Sequence, residues 1–448
     1  MTSDSALQPE RLGAMDMWAL VLPAVGFAEI NLGGRLMITE VLALALLPWL
    51  WGARDRPRLP KWFVLVWAGW LISQVITDLV QGSAFSDYSR GWAAILFTLI
   101  DFAAFLVVAG TPRRARLFAL GIAAGGILGY VVAPSATSAA DPWKWAFATA
   151  IGFAVASALS GSVGSRVPWL SVAAFVAFAG ANMVFGFRSM GGVSLLTAGY
   201  LVLSIVAGRR ETGSNHSILR AAIGLGFLAA AVWGTLQLYD TAASSGLLGL
   251  DAQQKYAFDS GGLGVLVGGR SQVLVSSQAV VDSPILGHGS WAKDYRYVDL
   301  LANQLDSFGY EVGAGAADVT LIPAHSYLMQ SWVWAGFLGG LFWVFVSAIA
   351  LWLLANLYVF RLELSPLIVF STTLLLWSIA FSPYGFGARI PATYGIALCL
   401  LGLRLMSKDV NVIASKAKSA GVPLGASRSM SQSTGIYALT DHTRDNPS

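Results

Sequence analysis

The chain has 448 residues, of which 56% are hydrophobic and only 12% charged, about half the charged share of an ordinary soluble protein. Its net charge of +4 is too small and too scattered to point to a nucleic-acid partner, and a single cysteine, Cys399, excludes a disulfide framework and a thiolate metal site. Four histidines, at 216, 288, 325 and 442, show neither HxxxH nor HxxE spacing, so no dedicated metal cage is expected.

The composition is that of an all-α polytopic membrane protein. A hydrocarbon core of about 30 Å needs about 20 apolar residues in a helix. Windows of that size mark segments near 17–31, 36–52, 62–80, 91–109, 116–133, 144–160, 167–185, 192–207, 218–238, 334–357, 365–381 and 388–406. The expectation is therefore about 12 transmembrane helices. Glu29 and Asn31 interrupt the first segment and predict a broken or re-entrant helix there. Asp101, in the middle of the fourth, must face protein or water, because an ionisable group in lipid is costly.

Charge orients the chain. Alternate connections together with both tails hold 19 of the 28 Lys and Arg, against nine in the opposite set. The positive-inside rule then places both termini in the cytoplasm. Five stretches follow: a cytoplasmic tail over 1–16, a first bundle of about nine spans over 17–238, an outer loop with its re-entry over 239–333, three last spans over 334–406, and a disordered cytoplasmic tail over 407–448, rich in Ser, Ala, Gly and Lys.

The connection 239–322 is too long to lack structure of its own. Within it, "RSQVLVSSQAVVDSP" predicts a helix from near Ser271 stopped by Pro284, and "YVDLLANQLDSFG" a second stopped by Gly309. "ILGHGS" between them is a glycine-punctuated turn, which His288 would help to shape.

On this outer side Arg188 lies between two apolar spans in "MVFGFRSMGG", Arg270 opens the first loop helix, and His325 opens the span after the loop. Guanidinium forks pair with phosphate oxygens and stay charged, so two of them suit a diphosphate. A histidine can take a proton from a hydroxyl near neutral pH. The three would suffice for transfer from a lipid diphosphate to a hydroxyl without a metal or other cofactor. Each has a plainer reading. The arginines could be an interfacial anchor and a solvated loop charge, His325 a hydrogen-bonded interfacial ring, and Trp291, Trp332 and Trp334 an aromatic belt rather than a platform for sugars.

The segments "GGRSQVLVSSQAVVDSPILGHGSW" (268–291) and "IPAHSYLMQSWVWAGFLGGLFW" (322–343) resemble the two signature segments of the O-antigen ligase and O-antigen polymerase superfamily of bacterial membrane glycosyltransferases. The matching residues are Arg270, the run Asp282 to Gly289, His325 with Ser326, and the downstream Gly336 and Gly339. "FRSMGG" around Arg188 is similar to an earlier arginine element of that family. Trp334 stands where the family often has a glutamate, and Ser326 where asparagine commonly follows the histidine. The resemblance implies an inverting, metal-independent transfer at the periplasmic face of the bacterial inner membrane, moving a glycan from undecaprenyl diphosphate to an acceptor sugar hydroxyl. Arg188 and Arg270 would hold the diphosphate and His325 would orient or deprotonate the acceptor, with Ser326, Gln330 and Trp291 as sugar contacts. The acceptor would be a lipid-linked repeat unit for a polysaccharide polymerase, the favoured reading, or a lipid A core sugar for a ligase. A transporter of lipid-linked sugar is the alternative of another class.

Overall fold

The computed structural model describes residues 12–31, 34–52, 59–161, 166–207, 217–247, 272–307, 320–360 and 362–419, with the single residues 249, 253 and 256. The described chain is almost wholly helical. Each of the twelve apolar segments overlaps a helix, the first two meeting in a short pair of strands. Among the described residues seven helices are long and apolar enough to cross a membrane, and five more are apolar but of 10–17 residues. The fold is that of an all-α membrane protein.

The elements that position the site are α1 (Ala14–Ala24), β1 (Glu29–Asn31), β2 (Arg35–Met37), α2 (Ile38–Gly52), α3 (Lys61–Gln81), α4 (Phe85–Val108) and α5 (Pro112–Val132). A five-residue helix α6 (Ala136–Ala140) and a π-helical turn over Trp143–Phe147 lead into α7 (Ala148–Leu159), followed by α8 (Pro168–Val184), α9 (Arg188–Ala207) and α10 (Ser217–Ser244). The polar connection carries α11 (Gln272–Asp282) and α12 (Tyr295–Ser307), and α13 (Tyr327–Leu357), α14 (Ser365–Phe381) and α15 (Arg389–Ser419) complete the chain.

Three boundaries differ from the sequence reading. The interruption at Glu29 and Asn31 is a β-hairpin: α1 ends just past Pro23, and Glu29 to Asn31 pair antiparallel with Arg35 to Met37. The hairpin satisfies backbone groups that a broken helix would leave open. The span expected from 334 begins at Tyr327, because the Ser326 hydroxyl caps the helix by accepting the Met329 N–H at 2.9 Å. The last helix runs on through 407 to Ser419, so the tail expected to be disordered from 407 is helical in its first part.

The core is one contiguous apolar cluster in which aromatic faces key α3 to α13. Phe63 and Trp70 meet Phe342, and Trp62 meets Phe345, with ring centroids 4.8 to 5.6 Å apart. These contacts run in opposite order along the two helices, so α3 is antiparallel to α13 and its C-terminal end meets the first turns of α13. A second, smaller apolar cluster lies under the loop helices and unites Val275, Ala279, Ala292, Tyr297, Ile322 and Val333.

Candidate functional site

Gly336 breaks α13, with φ 65° and ψ −156°. At such a φ an L side chain is strained, and a Cβ here would drive into the Ile285 carbonyl. The break frees backbone groups inside the bundle, and each must find another partner. The turn 285–289 supplies several. His288 N–H donates to Val333 O at 2.7 Å, Gly289 N–H to Trp334 O at 3.1 Å, and Phe337 N–H to Ile285 O at 3.1 Å. From α3, Ser73 Oγ donates to Ala335 O at 2.6 Å and Gln74 Nε2 to Trp334 O at 3.3 Å.

The turn is held from its other side by α3. Thr77 donates to Leu286 O, and Gln81 Nε2 donates to Gly287 O at 3.0 Å. Asp78, 2% exposed, is the hub. Its carboxylate accepts from Ser290 N–H at 2.6 Å and Ser290 Oγ at 2.8 Å, from Ser83 Oγ at 2.8 Å, from Trp92 Nε1 at 2.9 Å and from Gln74 Nε2 at 3.2 Å. A buried carboxylate taking this many donors is a rigid anchor.

A second seam joins the same two segments farther from the bundle. Ile322 N–H donates to Ala292 O at 2.9 Å, Asp294 N–H to Thr320 O at 3.0 Å, and Lys293 bridges Leu321 in antiparallel pairing. Lys293 Nζ also lies 2.9 Å from Asp87 on α4. The stretch 323–332 is therefore fastened at both ends to the turn region 285–294. His325 lies in it, half-buried, one residue ahead of the helix cap.

His288 does shape the turn. Its Nε2 lies 2.8 Å from Ala279 O and its ring meets Tyr297 edge-on. Tyr297 in turn donates to Asp282 at 2.7 Å, and Arg296 Nη2 lies 2.8 Å from the same oxygen. These bonds, the Tyr297 hydroxyl first, hold the Asp282 carboxyl below its usual range. Burial, then the adjacent carboxylate, pushes the Tyr297 phenol up to about 12. The first of the two segments, 268–291, is therefore joined to α12 through Asp282.

The remaining candidates separate. Arg188 opens α9 and donates to the Tyr239 hydroxyl at 2.6 Å, with its guanidinium 5.7 Å from that ring. Gly224 on α10 abuts Ala355 near the end of α13. Arg270 lies outside the described residues. Ser326 is 1% exposed, with its oxygen committed to the cap. Gln330 is fastened at both ends of its amide, donating to Tyr384 O at 3.2 Å and accepting from Tyr384 N–H at 2.8 Å. Trp291, in a left-handed backbone conformation (φ 49°), lays its ring against Trp334 at 4.5 Å, whereas the Trp332 indole donates to Pro284 O at 2.9 Å.

Sequence reasoning missed Asp78, an ordinary acidic residue near the end of an apolar run, and Tyr384, a tyrosine between two spans. No local signal marks either, because their partners lie far away in the chain. It also left Arg389 unassigned. That side chain is buried and its Nε lies 2.8 Å from Glu40, while Nη2 donates to Glu40 at 3.2 Å and to Arg35 O at 3.0 Å.

The fold and the site define a membrane-embedded helical protein whose polar connection is plugged into a broken helix. No family model, curated protein or solved structure matches the chain.

Proposed function

We propose that the protein is a membrane glycosyltransferase that moves a glycan from undecaprenyl diphosphate to an acceptor sugar hydroxyl at the periplasmic face of a bacterial inner membrane. The observation that carries this reading is the double fastening of 323–332 to 285–294. The two segments whose motifs resemble the ligase and polymerase signatures form one unit, and His325 stands half-exposed within it. Arg188 and Arg270 would take the diphosphate. Their charge would stabilise the leaving group as the glycosidic bond breaks, and His325 would receive the acceptor proton. Trp291 and Trp334 present the aromatic surface against which a sugar would stack. A polymerase, with a lipid-linked repeat unit as acceptor, is the favoured form, and an O-antigen ligase acting on lipid A core is the other.

The test is the glycan profile of the undecaprenyl diphosphate pool in a deletion strain, complemented with wild type or with His325→Ala. Single repeat units on the carrier indicate a polymerase. Long chains on the carrier beside bare lipid A core indicate a ligase. A normal profile restored by His325→Ala ends the catalytic role given to that residue.

A second reading has its own support. The break at Gly336 and the buried Asp101 are features of transporters, which place discontinuous helices and ionisable groups within the membrane. A transporter of lipid-linked glycan would leave the glycan intact, so the carrier pool would hold finished chains on the cytoplasmic leaflet.

A further inference from the structure

Asp101 lies on α4, about 24 Å along the axis from Phe85. It is 0% exposed, and among the described residues neither carboxylate oxygen has a hydrogen-bond partner. One turn earlier on the same face, Thr98 shares a 2.5 Å hydrogen bond with the Tyr384 hydroxyl. Trp70 packs its ring 6.1 Å from that of Tyr384, and its buried indole N–H also lacks an acceptor. Unsatisfied polar atoms of both kinds thus gather around Tyr384, inside an otherwise apolar bundle.

The charges that reach Asp101 are those of Glu40 on α2 and Arg389 on α15, and the Tyr384 phenol lies within range of both Asp101 and Arg389. Trp67 on α3, the other indole facing α4, is already bonded to Ile95 O at 2.8 Å. Glu40 and Arg389 neutralise one another: Nε and Oε1 are 2.8 Å apart, and Glu40 also accepts the Met37 N–H at 2.8 Å. Two carboxyl groups therefore share one guanidinium, and the cation is spent on Glu40. An ionised Asp101 would be a buried charge with neither a donor nor a counter-ion of its own, the costliest state a side chain can take in a membrane protein.

We propose that Asp101 is a membrane-embedded binding site for a single exchangeable proton, set beside the self-neutralised Glu40–Arg389 pair. Arg389 reaches from the Glu40 pair to the β-hairpin, where its guanidinium bonds the Arg35 carbonyl and the Arg35 side chain is 63% exposed. The proposal does not depend on the glycosyl-transfer reading.

The test uses the full chain in lipid nanodiscs and dicyclohexylcarbodiimide, an apolar reagent that adds to protonated carboxyl groups. Peptide mass mapping is expected to find the adduct on Asp101 and not on Glu40, at a rate that falls at least tenfold from pH 5 to pH 9. Asp101→Asn, a neutral near-isostere, is expected to fold and to lose the adduct. Infrared spectra of wild-type protein with ¹³C-labelled aspartate supply a readout that needs no variant. They should show a protonated carboxyl band that persists at neutral pH and disappears on alkalinisation. Absence of that band at neutral pH, labelling on Glu40 in place of Asp101, or protection by Na⁺ at fixed pH would each overturn the proposal, the last in favour of a metal-cation site.

Discussion

Asp78 on α3 and Ser290 in the glycine turn are joined twice across 212 positions of chain: the Ser290 N–H reaches Oδ1 at 2.6 Å and its hydroxyl reaches Oδ2 at 2.8 Å. This pair fixes the polar connection to the membrane bundle. Asp78→Ala would leave five donors in a buried site without their acceptor, at a cost of about 3 kcal/mol or more. Thermal unfolding in detergent should show a clear loss, and limited proteolysis should open the chain near 285–291. Asp78→Asn, which keeps one carbonyl oxygen, should fall between. An unchanged unfolding temperature for Asp78→Ala would mean that the anchor lies elsewhere.

Gly336→Ala should be more damaging than an alanine at an open position. A Cβ there collides with the Ile285 carbonyl, and one at Gly287 would stand 2.6 Å from the Gly336 nitrogen. Both residues have positive φ, so neither can relax cheaply. Gly180→Ala on α8, with nothing within 4 Å, is the control and should be neutral or slightly stabilising. Comparable yields of folded protein from all three would contradict the closeness of the turn to the helix break.

The joint between α11 and α12 should be sensitive at both ends of the pH scale. Asp282 is more acidic in the folded protein, so its contribution is fully present above the ordinary carboxylate range, near pH 4, and is lost as pH falls through its lowered value. Tyr297 has the opposite sense. Its folded value of about 12 lies above the usual 10, so its contribution is present below pH 10 and disappears between pH 10 and about 12. Hydrogen exchange over 272–307 against pH should show both limbs. Tyr297→Phe should remove the alkaline limb and weaken the acid one.

Glu40 and Arg389 form a buried pair, with side chains 0% and 8% exposed. Removing either alone strands the other, which for buried pairs costs about 3–5 kcal/mol. The double replacement Glu40→Leu with Arg389→Leu should cost less than the sum of the single ones. A double-mutant cycle by thermal unfolding measures the difference, and strict additivity would mean that the pair is not energetically coupled.

If Arg188 binds diphosphate, Arg188→Ala should lower glycan transfer by about 100-fold or more, the usual loss for one well-placed charged donor. Tyr239→Phe removes only the 2.6 Å bond that orients the guanidinium and should cost about tenfold. An in vitro assay on lipid-linked donor would distinguish them. Equal and small effects would return Arg188 to the role of interfacial anchor.

The helices were legible because lipid asks for runs of about 20 apolar residues, and such runs are counted directly along the chain. The loop helices were legible too, from Pro284 closing one and the run "YVDLLANQLDSFG" marking the other, whose expected stop at Gly309 lies outside the described residues. The hairpin at 29–37 was not, since strands of three residues inside an apolar stretch carry no periodicity of their own. Nor was the break at Gly336, which lies in a strongly apolar helix where Gly339 and Gly340, just beyond it, keep helical backbone.

Among the site residues, the chain alone marked His325 and Arg188 by their chemistry at the edge of apolar runs, and it assigned Gln330 and Ser326 to sugar. Tertiary structure decided what occupies them. Gln330 fastens Tyr384, Ser326 caps α13, and Asp78 and Arg389 take up partners that the sequence could not name. Ser326 acts locally, three residues from its partner, but the physical reason is common to the other three. Hydropathy is a property of each residue and adds along a window, so the sequence by itself determined that this is a helical membrane protein. A buried hydrogen bond or ion pair exists only when two distant groups arrive within about 3 Å, and only the packed bundle brings them there.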